Sequence, residues 1–113
     1  MSVNAHPDRG DIVWIDFDPH GGHEHGKRRP ALVLSSGRYN ARSGLALICP
    51  ISSRAKGLRF EVPLDETGET CGVVLADHIH SFDWRARRIE FRERAPQNVL
   101  DEVLARVAAL LEF

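Results

Sequence analysis

The residues with the most evident chemical capacity lie in one stretch, PHGGHEHGKRRPALVLS, from Pro19 to Ser35. His20, His23 and His25 share it with Glu24, and Lys27, Arg28 and Arg29 follow directly. A second group, His78 and His80, forms an HxH pair that on a strand would turn both rings to one face. Imidazole and carboxylate are zinc ligands. The spacing, however, matches no compact zinc motif, and glycines surround the first group. Surface histidines with no metal and no cofactor are the expectation.

Ser52 and Ser53 follow Pro50 and stand beside Arg54 and Lys56. There is no Gly-x-Ser-x-Gly elbow, no Cys/His pair at a recognisable spacing, no P-loop and no dinucleotide fingerprint. A hydroxyl among cations suits phosphate contact better than acyl transfer. RNA makes such a set chemically sufficient, because its 2′-hydroxyl is a built-in nucleophile. Cleavage then needs a base, an acid for the departing 5′-oxygen, and donors for the charged phosphorane. Arg29 offers a planar fork of donors, Ser52 adds a neutral one, and Lys27 and Arg28 are phosphate guides. Trp14, Phe17, Tyr39 and Trp84 are candidates for base stacking, with core packing the competing role for Trp14.

The bulk properties permit this reading without demanding it. The chain has 113 residues and a net charge of −1, so no global basic signal marks a nucleic-acid binder. The charge is uneven: residues 1–59 hold nine Lys/Arg against five Asp/Glu, and residues 60–113 hold six against eleven. A local positive field can hold a phosphate chain on a nearly neutral molecule. No apolar run is long enough to span a bilayer, and the first residues lack a signal-peptide layout, so a cytoplasmic protein is expected. Cys49 and Cys71 are expected as buried, unpaired thiols.

The elements that must position these residues are mostly strands. GDIVWIDFDP reads as a strand buried on both faces, and so central. PALVLSS, LALICPIS, LRFEVPL, GVVLA and RRIEFRERA read as further strands, with a long glycine-rich loop over residues 19–29. GRYNARSG is a turn of about one helical turn. In PQNVLDEVLARVAALLEF the apolar residues recur at helical spacing along one face. Pro96 suits the first helical position, and Asp101 and Glu102 suit the positive end of the dipole. The expectation is one domain over 1–113: about six short strands in a small β-barrel or coiled sheet, closed by a C-terminal helix.

GDIVWIDFDP, RRPALVLS, YN, CPISSRAKG, FEVPL and GVVLADHIHSFDWRAR occur in an order and at intervals that resemble the MazF/PemK-type toxins of bacterial toxin–antitoxin pairs. The resemblance spans roughly residues 8 to 112. It implies an α+β chain, an SH3-like β-barrel of the plasmid-maintenance-toxin type with appended helices, acting as a homodimer. It implies a metal-independent, sequence-specific endoribonuclease (an mRNA interferase) that cuts single-stranded RNA to 2′,3′-cyclic phosphate and 5′-hydroxyl ends. The partner would be an antitoxin that lays an acidic flexible segment over the RNA groove.

By the resemblance, the catalytic arginine before the proline is Arg29. The catalytic threonine of the family is Ser52 here, and its first-loop acid corresponds to Glu24. Because an arginine is a poor base, His25 is a candidate helper base. His78 stands where relatives commonly carry glutamine, which bears on the target sequence. Arg85 and Arg87 of the same motif complete the RNA contacts. The competing class is a non-catalytic poison of DNA gyrase, which shares the fold; a third reading is an inert RNA-binding barrel.

Overall fold

The computed structural model describes residues 6–17, 28–64 and 68–112. Glu24, Lys27, His20, His23 and His25 lie outside the described residues. Seven strands and two helices follow in the order β1 (Asp11–Asp16), β2 (Arg28–Val33), α1 (Gly37–Ser43), β3 (Leu45–Ser52), β4 (Glu61–Pro63), β5 (Val73–Leu75), β6 (His80–Asp83), β7 (Glu90–Arg94) and α2 (Gln97–Leu111). Every recorded pairing is antiparallel, and the strands run β4-β5-β3-β2-β1-β7. β3 is shared: Leu45–Ile48 pairs with β6, while Ile51 and Ser52 pair with β5. The barrel expectation is met only as a curled sheet, since no pairing between β4 and β7 is recorded among the described residues.

Both faces of the central strands are buried, for the reason their apolar runs suggest. Successive side chains point to opposite faces. Ile12, Leu32, Cys49, Ile51 and Val74 form one apolar cluster, sealed by Val99, Leu100 and Val103 of α2. Val13, Ile15, Ala31, Val33, Ala46, Ile48 and Trp84 form the other. The curl is strong: Phe17 at the end of β1 meets Phe82 of β6 at 5.3 Å between ring centroids, although β2 and β3 separate those strands. The second face is therefore concave, and its rim is where a ligand can enter.

α1 is a true helix and not a single turn. Ser36 caps its start and Gly44 ends it in the left-handed region, at φ 75°. Asn40 ties it down: its amide donates to the Pro7 and Ser35 carbonyls, and its own carbonyl accepts the Trp84 indole N–H at 2.8 Å. At α2, Pro96 is the capping residue rather than the first helical one, and no acidic residue lies in the first turn. Asp101 and Glu102 fall one turn later. β6 was absent from the sequence expectation. Cys49 is buried as expected, but Cys71 is exposed. No described helix is long and apolar enough to cross a membrane.

Candidate active site

Arg29 and Ser52 reach one site from two strands. In the β2–β3 register Ala31 faces Pro50. Two residues further out on each strand stand Arg29 and Ser52, at the same level and on the concave face. Behind them Ala31, Val33, Ile48 and Ile15 are fully buried, so both polar groups project from a packed base. A cavity of about 430 Å³ opens there, lined among others by Phe17, Arg29, Pro50, Ser52, His78 and His80.

The Ser52 hydroxyl is preset. Its oxygen accepts the Arg54 backbone N–H at 3.0 Å, while its contact to the Arg54 carbonyl is 3.5 Å, the far limit of hydrogen bonding. The proton is thus available to an incoming acceptor. The backbone under Ser52 is fixed by Gly72, whose φ is +115°. A Cβ at Gly72 would lie 2.1 Å from the Ser52 carbonyl oxygen, so only glycine permits this approach of β5 to β3.

The basic loop after β3 is anchored from below. Glu61, 9 % exposed, accepts the backbone N–H groups of Lys56 and Gly57, each at 2.9 Å. Ser53, Arg54 and Lys56, with Arg59, are exposed beyond that anchor. Sequence reasoning missed Glu61 and Gly72. Their signals were a carboxylate placed inside LRFEVPL directly after the loop, and a glycine opening GVVLA.

The remaining candidates separate. Trp14 points to the other face of the sheet, where the Arg92 guanidinium lies 4.7 Å over its ring. Arg92 is turned there by a bulge, since Ile12 pairs with Glu93 but Val13 with Phe91. Arg28 also takes that opposite face, bonding Asp16 at 2.9 Å, Glu90 at 3.1 Å and the Arg88 carbonyl at 2.9 Å. The expected roles of Trp14 as a stacking platform and Arg28 as a phosphate guide are corrected: alternation carries both away from Arg29.

Arg87 donates to the Asp16 and Phe17 carbonyls and lies 4.2 Å over Phe82, so it holds the end of β1 in place. Arg85 is exposed above the Trp84 ring. Trp84 itself is buried, and Tyr39 is exposed on α1. His78 precedes β6 in a turn, yet it and His80 do share the cavity.

Two titratable groups are perturbed, both outside this cavity. Burial, reinforced by the Asp77 charge, pushes the Cys49 thiol up to about 12. Glu93 is desolvated, which raises its pKa. Bonds from the Thr70 hydroxyl and the Glu69 and Thr70 N–H groups, with Arg92 nearby, outweigh this and hold it below 4.5.

With the geometry in hand, comparison with known proteins is decisive about kinship. The family model described as PemK-like, MazF-like toxin of type II toxin–antitoxin system matches residues 8–111. The chain belongs to this toxin family. It is 40 % identical over 105 residues to the endoribonuclease toxin MazF of Escherichia coli K12, covering 93 % of this chain and 94 % of that one. A crystal structure of MazF from Deinococcus radiodurans superposes with a TM-score of 0.86 at 52 % identity, covering 96 % of this chain and 98 % of that one. A MazE–MazF crystal structure from the same organism gives 0.84 at 49 % identity, covering 94 % and 95 %.

Proposed function

We propose that this chain is the toxin of a type II pair: a metal-independent, sequence-specific endoribonuclease of single-stranded RNA that cuts mRNA and stops translation and growth. The observation that carries the reading is the convergence of Arg29 and Ser52 on one cavity rim. The endoribonuclease names of the relatives support it, and nothing favours a gyrase poison over it.

In the proposed reaction the 2′-hydroxyl loses its proton and attacks the adjacent phosphorus. A 2′-O–P bond forms, the P–O5′ bond breaks, and the 5′-oxygen takes up a proton. The products are a 2′,3′-cyclic phosphate and a 5′-hydroxyl. Arg29 remains protonated near neutrality, so its part is to donate to the non-bridging oxygens and to the departing oxygen. Ser52 adds a second donor. Preorganised donors of this kind act mainly on the charge that develops in the transition state. Glu24, in the first loop, is assigned as the proton acceptor on family resemblance, and Lys56, Arg54 and Lys27 as phosphate contacts.

The same reading takes the curled sheet as an SH3-like barrel of the plasmid-maintenance-toxin type in one cytoplasmic domain. It takes the active species as a homodimer, and the partner as an antitoxin with an acidic flexible segment covering the cationic rim. Incubation of a long RNA with EDTA, followed by end-group analysis, tests the chemistry. Cyclic phosphate and 5′-hydroxyl ends are expected; 5′-phosphate ends, or no cleavage, reject it.

A further inference from the structure

The cavity that holds Arg29 and Ser52 continues past them to an aromatic wall. His80 and Phe82 are stacked, with centroids 5.4 Å apart and planes at 25°. Phe17 closes edge-on against His80 at 6.2 Å. One face of the imidazole is thus backed by Phe82, while His80 as a residue is exposed. Arg87, over Phe82 and bonded to the Phe17 carbonyl, holds the wall rigid.

His80 faces Ile48 in the β3–β6 register, four residues before Ser52 on β3. At ~3.3 Å per residue that is about 13 Å between rungs. Proton transfer needs donor and acceptor within roughly 3 Å, so the ring stands too far along the strand to serve the phosphate at Ser52. The separation instead suits a nucleotide neighbouring the cleaved one.

We infer that the Phe17–His80 wall is a nucleobase subsite, in which His80 stacks a base flanking the scissile phosphate and helps determine which sequences are cut. The inference rests on the endoribonuclease reading. A stacking ring accepts any base but favours those with the larger π-face, whereas the imidazole edge adds one donor or acceptor. His80 therefore biases one position of the target without reading it fully.

The test combines His80→Ala and His80→Phe with an abasic scan. Cut sites of the wild-type protein are first mapped on a long RNA. The probe is then an oligonucleotide spanning one site, with 2′-deoxyribose at the cleaved nucleotide so that it binds uncut. Wild type is expected to lose affinity about 5- to 100-fold when one flanking base is removed. His80→Ala should show the same loss with the intact probe and no further loss with that abasic one, and His80→Phe should restore most of the affinity. Equal affinity and unchanged cut sites in His80→Ala overturn the subsite while leaving the nuclease intact. A wild-type protein that cuts no RNA overturns the underlying reading instead.

Discussion

Arg29 and Ser52 lie level across the β2–β3 pair, two residues beyond the Ala31–Pro50 rung and on the same face. Arg28, one residue earlier, is carried by strand alternation to the opposite face and bonds Asp16 and Glu90 there. Two adjacent arginines thus have separate tasks. Arg29→Ala is expected to lower kcat about 100- to 1000-fold with the melting temperature nearly unchanged. Arg28→Ala should do the reverse: a loss of roughly 0.5–1 kcal/mol, as for partly exposed ion pairs, with cleavage within a few fold. Thermal melts and single-turnover cleavage on both variants separate the two.

Gly72 is the residue on which Ser52 leans. Gly72→Ala places a methyl against the Ser52 carbonyl oxygen at a φ that disfavours side chains. Backbone strain alone costs about 1–3 kcal/mol, and relief requires the end of β3 to move. The expected outcome is a lowered denaturant midpoint together with a fall in kcat. Ser52→Ala supplies the comparison: a similar fall in kcat without the loss of stability. A Gly72→Ala protein with wild-type kcat would show that Ser52 does not depend on this contact.

Glu93 gives a pH signature. Its folded pKa lies below its ordinary value, so its ionised form stabilises the fold. That contribution is complete above the unfolded carboxylate pKa and disappears as pH falls through the lower folded value. Glu93→Gln should therefore lower stability at neutral pH and flatten the acid limb of the stability profile. Chemical denaturation at intervals from pH 7 down to pH 3 reads this directly; parallel profiles for the two proteins would contradict it.

Cys49 and Cys71 should differ in reactivity. Burial keeps the Cys49 thiol protonated to about pH 12, and the thiolate is the reactive species. Cys71 is exposed. A thiol-titrating reagent at pH 8 is expected to find one group in the native protein and two after denaturation. Two fast-reacting thiols in the native state would be inconsistent with this burial.

The strands were legible where both faces carry apolar side chains, as in GDIVWIDFDP and LALICPIS. α2 was legible from the spacing of Val99, Leu100 and Val103. β6 was not, because Phe82 is the only apolar residue in it and its other positions are exposed. The two residues proposed for catalysis were named from chemistry and resemblance, but the reason they meet is a register, which no single strand displays. Arg28 and Trp14 were misassigned for the same reason: facing follows from parity relative to Arg29, and the first strand offers apolar residues on both sides. Glu61 and Gly72 act through the backbone, so side-chain chemistry gave little sign of them.

The central claim is that Arg29 cleaves RNA with no metal at the rim it shares with Ser52. The most direct measurement is the single-turnover rate of cutting a long RNA in EDTA by wild type and Arg29→Ala, with the 3′ and 5′ ends identified. Wild type is predicted to leave cyclic phosphate and 5′-hydroxyl ends, and Arg29→Ala to cut at least about 100-fold more slowly. Equal rates in the two proteins, or cleavage by wild type only when a divalent metal is restored, would contradict the account.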